Sequence, residues 1–462
     1  MRYFQLAMRT GPTTAVGSQS SHWLREILAS ARTFVAVALA RAVALLIRLS
    51  RCGAASTFPG TIALRVDPAI LRRLTAGRRV AVVSGTNGKT TTTRLLAALL
   101  SEYGAVCSNV SGANLLNGVA AALIRGARHA SWIVLEVDEA CCAEVVRQCI
   151  PAMLVITSVS RDQLDRYGEV NTAVSHLKRA IDCLPGNSVA VLNADDPNVV
   201  ATGLGASAQT LWYGIGSRCR SARVLQRRNP DASRCPVCRG ALLYSLPAYD
   251  CSACGFTRPR LTIACEDVEG FSPVKVRIQG ALISTQLSGV HGTYNTIAAA
   301  AAATRLGIPL ARISNNLRKV APPVGRGSLL SASGIPVTIM LSKNPLSFDV
   351  NVDEILARRD AGAVMIAVSD RYADGRDVSW LWDAPFERLA ETGAQITASG
   401  SRAADVRLRL KYAGISSQFC TTDLCEALDD LRNRGHAGAL YVLCSYSVLL
   451  DLSKLGQIPS VA

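Results

Sequence analysis

A run of β-branched apolar residues, Val80 to Val83, leads into Ser84-Gly85-Thr86-Asn87-Gly88-Lys89-Thr90-Thr91-Thr92-Thr93, and then into the helix-like Arg94-Leu95-Leu96-Ala97-Ala98-Leu99-Leu100. Strand, glycine-bearing turn and helix in that order leave few folds open. The backbone N–H groups of such a turn close around an anion, and the helix N-terminus adds roughly half a positive charge. Lys89 is placed to reach terminal phosphates, and the hydroxyl of Thr90 or Thr91 to hold Mg²⁺. Only two residues separate Gly85 from Gly88, a departure from the usual G-x-x-x-x-G-K-[ST] spacing. A glycine turn capping an ordinary helix is the plainer alternative. It leaves a lysine followed by four threonines unexplained, because β-branched residues open a helix poorly. The stretch Gly85, Thr86, Asn87, Gly88, Lys89, Thr90, Thr91 therefore reads as an ATP site.

At 462 residues the chain is long enough for two or three domains, and with 49% of it apolar it is globular rather than disordered. Its charge is unevenly spread. Residues 1–80 hold twelve Arg against Glu26 and Asp67, a local excess of +10 in a chain of net charge +16. Such a surplus serves an anionic membrane surface, a nucleic acid or an acidic substrate. Residues 27–50 resemble a membrane span in composition, but Arg32, Arg41 and Arg48 interrupt them, and a central arginine in lipid is expensive. No secretory signal is recognisable. The expectation is a disordered extension over 1–30 and an amphipathic helical segment over 31–75, lying on a membrane or packed on the body. Fifteen cysteines without such a signal imply a reducing, cytoplasmic setting.

Strands and helices then alternate. Apolar runs at 79–83, 132–137, 153–157 and 188–192 predict buried parallel strands, with helices at 90–103, 113–126, 139–148 and 170–183. That is the α/β pattern, with ligands expected at the carboxyl ends of the strands. Polar clusters fall at such ends: Glu136-Val137-Asp138-Glu139, residues 160–169, and Asn193-Ala194-Asp195-Asp196-Pro197. Each alone is a helix cap or a turn. Three in register with one phosphate loop are expected to hold or position Mg²⁺.

Residues 216–270 break the pattern. Cys235-Pro236-Val237-Cys238 and Cys251-Ser252-Ala253-Cys254 are two C-x-x-C knuckles with twelve residues between them. Four thiolates so spaced suit a closed, structural zinc ribbon. A redox C-x-x-C pair does not explain two copies. Residues 274–288 alternate like a hairpin, Ser288 to Asn295 runs into an alanine-rich helix through Leu306, and Gly325-Arg326-Gly327 reads as a hinge. The last region again alternates, with strands expected at 336–342, 363–369, 394–398 and 438–444, and helices at 350–359, 384–392, 402–413 and 423–433. Its polar loop, Ser369 to Trp380, carries Asp374 and Asp377; a plain helix cap is the simple account of Asp377.

Together these motifs resemble those of the Mur ligases, which join amino acids to the peptidoglycan precursor through acyl phosphates. Ser84 to Thr92 is similar to that family's ATP loop, and the clusters at 136–140, 161–169 and 193–197 extend the likeness. Lys343-Asn344-Pro345, the stretch from Ala373 to Asp383, and Arg402-Ala403 with Leu408 to Gly414 resemble the MurT branch, the ligase subunit of lipid II isoglutaminyl synthase. The resemblance implies a Mur ligase-like central ATP-binding domain over 76–330 with an inserted four-cysteine zinc ribbon, then a smaller Rossmann-like α/β domain over 334–462. It implies that ATP phosphorylates the α-carboxylate of D-glutamate in the lipid II stem peptide, and that ammonia then displaces phosphate. It also implies roles. Lys89 and Thr90 bind phosphates and Mg²⁺, Glu136 is the magnesium carboxylate, Asn295 contacts adenine, and Cys235, Cys238, Cys251 and Cys254 hold zinc. Asp377 orients the histidine of a GatD-like glutaminase subunit, because a Cys-His pair needs a third group to fix its imidazole. Closure of the last domain about a hinge near 325–335 would keep water from the acyl phosphate. Gly292 stands where MurT relatives usually place an asparagine, and Leu346-Ser347 where they tend to Ala-Gly.

Two other readings compete. An enzyme of the same fold that adds an amino acid, as other Mur ligases or folylpolyglutamate synthases do, does not account for the zinc insertion or the Asp374 loop. An ATP-dependent nucleic-acid-binding protein draws on residues 218–260, with nine Arg against two acids. Few aromatics interleave with that charge, and base stacking needs them. The basic N-terminal region instead suits a lipid-tethered substrate and peripheral contact with the inner membrane leaflet.

Overall fold

The computed structural model describes residues 16–49, 57–109, 113–161, 170–222, 232–332, 335–435 and 438–455. Helices α1 (Val16–Leu49), α2 (Phe58–Val66) and α3 (Ile70–Thr75) open the chain. Since α1 begins at Val16, the extension expected to lack structure before residue 31 is helical from there on. Ala36 and Ala40, both 0% exposed, let α1 approach the body closely. Two of its arginines bond to the body: Arg32 Nε donates to Val66 O, and Arg41 Nη2 donates to Ile124 O at 3.3 Å. Thr33 Oγ1 donates to Asp67 Oδ2 at 2.7 Å. The outward side is apolar, with Phe34 75%, Leu45 57%, Leu46 64% and Leu49 72% exposed.

The central domain contains β1 (Arg79–Ser84), α4 (Lys89–Ser101), β2 (Val106–Ser108), α5 (Leu116–Gly126), β3 (Trp132–Glu136), α6 (Glu139–Cys149) and β4 (Met153–Ile156). It continues with α7 (Val170–Asp182), β5 (Val189–Asn193), α8 (Pro197–Gly203) and β6 (Gln209–Ile215). After the small hairpin β7 (Leu243–Ser245) and β8 (Ala248–Asp250) come β9 (Ile263–Phe271), β10 (Val274–Ile278), β11 (Ala281–Ser284), α9 (Gly289–Arg305) and α10 (Leu310–Leu317). Nine strands form one sheet in the order β11-β10-β9-β6-β5-β4-β1-β3-β2. It is parallel from β2 across to β9 and antiparallel beyond. Strand β1 is buried on both faces because its side chains alternate. Ala81 and Val83 pack with the leucines of α4, while Val80 and Val82 pack with α1, α3 and α5. Helix α9 lies over the first of these faces through Ala298 to Ala303, whose small side chains are all 0% exposed. The expected insertion is shorter than 216–270, because the chain rejoins the sheet when Ile263 pairs with Tyr213.

The second domain has β12 (Arg326–Ala332), β13 (Ile335–Leu341), α11 (Pro345–Arg358), β14 (Ala361–Ala367), β15 (Gln395–Ser399) and α12 (Ala403–Tyr412). It ends with β16 (Phe419–Thr421), α13 (Leu424–Arg434), β17 (Ala439–Cys444) and α14 (Tyr446–Lys454). Its sheet runs β12-β13-β17-β14-β15-β16. Strand β12 occupies most of the expected hinge, pairing antiparallel with β13, and Gly325 O accepts from Leu341 N at 2.8 Å. The segment is an edge strand because its backbone groups find ladder partners, so the connection between domains lies before Gly325, where Pro322 and Pro323 stand. Phe348 stacks on Phe386 at 4.5 Å and 7°, both 0% exposed. Phe348→Ala is expected to cost about 3–5 kcal/mol, read as a lower denaturant midpoint for this domain with unchanged unfolding of the central one.

Candidate active site

The phosphate loop joins β1 to α4. Gly85 (φ +121°) and Gly88 (φ +90°) hold left-handed backbone conformations, which residues with a Cβ adopt at a cost. A Cβ on Gly85 would lie 2.6 Å from Thr157 Oγ1, and one on Gly88 2.2 Å from Asn295 Oδ1. The β4 carboxyl end braces the loop. Thr86 N donates to Ser158 O (2.7 Å), Thr157 Oγ1 to Asn87 O (2.6 Å) and Asn87 Nδ2 to Ser160 Oγ (3.1 Å). The run of threonines is likewise held: Thr91, Thr92 and Thr93 are buried, and Thr92 Oγ1 donates to Asn295 Oδ1 at 3.3 Å.

Lys89 is buried at the first position of α4. Its Nζ donates to Gly85 O at 2.5 Å and to Glu139 Oε2 at 3.2 Å. Burial pushes the Glu139 carboxyl up, but Lys89, a backbone N–H and Lys343 together outweigh it and hold the group below the ordinary carboxylate range. Lys343 belongs to the second domain, so charges from both domains meet over the loop. Its neighbour Asn344 caps α11, accepting from Ser347 N at 2.8 Å, and reaches Asn87 Oδ1 at 3.5 Å. A second bridge joins Arg161 to Asp383 at 2.9 Å. Sequence reasoning counted Glu139 among the magnesium acids rather than as the partner of Lys89, and it gave Lys343 and Asn344 no part in the site.

Glu136 closes β3 and is buried. Asn109 clamps its backbone (2.8 and 2.7 Å), and Asn114 Nδ2 donates to its Oε1 at 3.2 Å. From the second domain Tyr446 comes near; burial first, then the charges of Glu136 and Asp374, push its phenol up. The Glu136 carboxylate and the Thr90 hydroxyl are hard oxygen donors of the kind Mg²⁺ takes.

The other acids expected to serve Mg²⁺ are otherwise engaged. Asp138 caps α6 by accepting from Ala140 N (3.1 Å). Asp196 caps α8 by accepting from Asn198 N (2.9 Å), and it also accepts from Val159 N (2.8 Å). Asp195, 4% exposed in its side chain, receives Arg258, Tyr294 Oη (2.8 Å) and Ile215 N (2.8 Å). These positions cap helices and tie segments together, the work that short carboxylates do best at strand ends. Residues 162–169 lie outside the described residues.

A cleft of about 970 Å³, part of it open to solvent, runs from the loop between the domains. Asn87, Asp196, His291, Tyr294 and Asn295 line it, with Leu346, Val350 and Asp353 on the α11 side. Asn295 thus stands beside both the phosphate loop and the cleft. Gly292, one turn earlier, has little room for a larger side chain: a Cβ there would lie 2.9 Å from Leu287 Cβ and 3.2 Å from Val274 Cγ2.

The four cysteines converge. Cys235 Sγ lies 3.6 Å from Cys254 Sγ, Cys238 Sγ lies 3.5 Å from Cys251 Sγ, and all four sulfurs fall within 4.8 Å of one another. A tetrahedron of sulfurs about 2.3 Å from zinc has edges of about 3.8 Å, so the set fits the metal.

Asp377 is exposed on the second domain, and its Oδ1 accepts from Ser379 N at 2.8 Å. Beneath it Asp374 is buried, accepting from Ser445 Oγ (3.1 Å) and Ser447 N (2.9 Å); burial pushes its carboxyl up. The same loop presents Tyr372, 73% exposed, and the short helix that follows it, Trp380–Asp383, presents Trp382, 50% exposed and edge-on to Tyr412 at 5.4 Å.

A phosphate loop opening α4, a carboxylate closing the neighbouring β3 and an α/β domain leaning over the cleft define the Mur ligase class. The Mur ligase middle domain model matches residues 83–235, and the MurT ligase C-terminal model matches residues 341–449. The chain belongs to the MurT family. It is 32% identical over 422 residues to the "Lipid II isoglutaminyl synthase (glutamine-hydrolyzing) subunit MurT" of Streptococcus pneumoniae, covering 88% of this chain and 93% of that one. Among solved structures it is similar to MurF from Acinetobacter baumannii, with a TM-score of 0.64 and 16% identity over 86% of this chain and 80% of that one. MurF from Thermotoga maritima in complex with ADP gives a TM-score of 0.59 and 16% identity, covering 86% and 83%. At those identities the likeness shows the fold.

Proposed function

We propose that the chain is the ATP-dependent ligase subunit of a lipid II isoglutaminyl synthase. A single arrangement carries this reading: Lys89 of the phosphate loop pairs with Glu139, whose carboxylate also feels Lys343, and Asn344 of the MurT-type domain reaches Asn87 of the same loop at 3.5 Å. A carboxylate is a poor electrophile and needs a leaving group. An α-carboxylate oxygen of D-glutamate attacks the γ-phosphorus of ATP, the bond to ADP breaks, and an acyl phosphate forms. Ammonia then attacks the acyl carbon and phosphate departs, leaving the D-isoglutamine amide. The loop N–H groups and Lys89, released from Glu139 by the stronger pull of the nucleotide's phosphates, bind and orient the triphosphate. Thr90 and Glu136 are the residues that would hold Mg²⁺, which when bound neutralises phosphate charge. Asn295 lies where the adenosine end would extend.

Ammonia comes, on this reading, from a GatD-like glutaminase. Trp382 and Tyr412, exposed and in edge-on contact at 5.4 Å, and the exposed Tyr372 of the Asp377 loop are large aromatic side chains of the kind that anchor protein interfaces. The decisive experiment is co-purification with a glutaminase subunit, then incubation with lipid II, ATP and glutamine. Mass spectrometry should find the carboxylate-to-amide conversion; ATP hydrolysis without it would refute the assignment.

A membrane-tethered substrate also gives α1 a purpose. Residues Ser30–Leu49 are long and apolar enough to span a bilayer by length and composition. Arg32 and Arg41, however, are bonded to the body, which favours a helix lying along the surface with its apolar side in the interface. Anionic vesicles should carry the protein upward in flotation, with binding weakened by salt and lost on Phe34→Glu with Leu46→Glu. Equal flotation by that variant would remove the idea.

A further inference from the structure

The hairpin β7–β8 of the four-cysteine ribbon does not stand clear of the body. Tyr244, Leu246, Pro247, Ala248 and Tyr249 line the same cleft as Asn87 and Asn295. Leu246, 40% exposed, presents an apolar surface at the hairpin tip. Two attachments fix this position. Tyr249 Oη, buried, donates to Ala194 O at 3.0 Å. Arg258, which follows the ribbon, donates to Asp195, and Tyr294 of α9 donates to that same carboxylate at 2.8 Å. The ribbon's own core is small: Cys235, Leu242, Tyr249, Cys251 and Phe256, resting on Val200 and Ala201 of α8. A segment of well under about 40 residues with so few buried side chains keeps its shape only with help from a metal or its neighbours. Two of its five core residues are themselves cysteines of the cluster.

We propose that the ribbon forms the wall of the nucleotide cleft against which the base and ribose of ATP rest, so that metal bound by the four cysteines sets nucleotide affinity from outside the phosphate loop. This rests on the proposal that ATP binds at that loop. The phosphate end is held by Gly85 to Thr90, of which Asn87 alone is among the residues lining the cleft beside the ribbon. The nucleoside end lies toward Asn295 and the hairpin. Metal at the cysteines therefore governs recognition of the nucleoside and leaves recognition of the phosphates alone. The tip residues Leu246 and Pro247 make the apolar contact.

Two probes separate the ends of the ligand: ATP and inorganic tripolyphosphate, each titrated calorimetrically into the full chain with Mg²⁺ present. Zinc is removed with a zinc-selective chelator and restored afterwards. Expected for the stripped protein is a fall in ATP affinity of about tenfold or more, reversed by zinc, with tripolyphosphate binding unchanged; loss of one good apolar contact in a pocket is of that order. Leu246→Ala, which leaves every cysteine in place, should weaken ATP several-fold at full zinc content and leave tripolyphosphate untouched. ATP affinity that ignores both zinc and Leu246 overturns the proposal, as does a parallel loss of both probes, which would make the ribbon a support for the whole fold. Wild-type protein that binds neither probe, with Lys89→Ala behaving identically, overturns the phosphate-loop reading itself.

Discussion

Lys89→Ala is expected to lower ATP-dependent turnover by about 10³-fold, the loss found when a preorganised group facing developing charge is removed from a site. The fold should survive. Lys89 is buried beside Glu139, and removing the lysine leaves a carboxylate that loses its main cationic neighbour. With less to offset burial, Glu139 should titrate higher in the variant than in the wild type, where it is held low. The sign follows directly. A depressed folded-state pKa contributes stability that is present above the ordinary carboxylate range and lost as pH falls through the folded value, so the variant should lose that share of stability at neutral pH. Thermal melts against pH, beside single-turnover assays, test both halves. Wild-type turnover in the variant would remove the loop from the chemistry.

The second large effect concerns Asp377. Asp377→Asn is expected to reduce glutamine-dependent amidation by about 10³–10⁴-fold while sparing ATP binding. Replacing the acid that orients a catalytic imidazole has a cost of that order in the serine proteases. The substitution is a clean one here, because an asparagine oxygen can still accept from Ser379 N and keep the turn. Glutamine hydrolysis by the assembled pair is the measurement. A rate equal to wild type would reduce Asp377 to the cap of its turn, the plain reading that the 2.8 Å bond alone supports.

Features confined to neighbouring residues were legible in the sequence. The apolar run, two glycines and a lysine announce the phosphate loop because they are contiguous, and the two C-x-x-C knuckles carry their own spacing. Relations between distant segments were not. Lys89 and Glu139 are fifty positions apart, and Asn87 and Asn344 are 257 apart; nothing in local pattern says that they meet. The acids of the Asn193 to Pro197 cluster looked like metal ligands, since composition does not reveal that Asp195 is already taken by Arg258 and Tyr294. Strands β2 and β16 are three residues each, too short for an alternation to register. Gly325 to Gly327 resembled a hinge, because the pairing that makes β12 comes from β13 and not from the glycines. In α1 the sequence left open whether the helix lies on a membrane or on the body, because nothing local shows that the backbone carbonyls of Val66 and Ile124 receive Arg32 and Arg41.

On the function proposed above, the apolar flank of α1 bears on how substrate is found. Thirty-four residues at 1.5 Å per residue make a rod of about 50 Å. Laid flat on headgroups along its greasy flank, such a rod would fix the tilt of everything built on it, the mouth of the cleft included. Encounter with a polyprenyl-anchored muropeptide then becomes a lateral search within one plane, in which orientation is settled before the first collision.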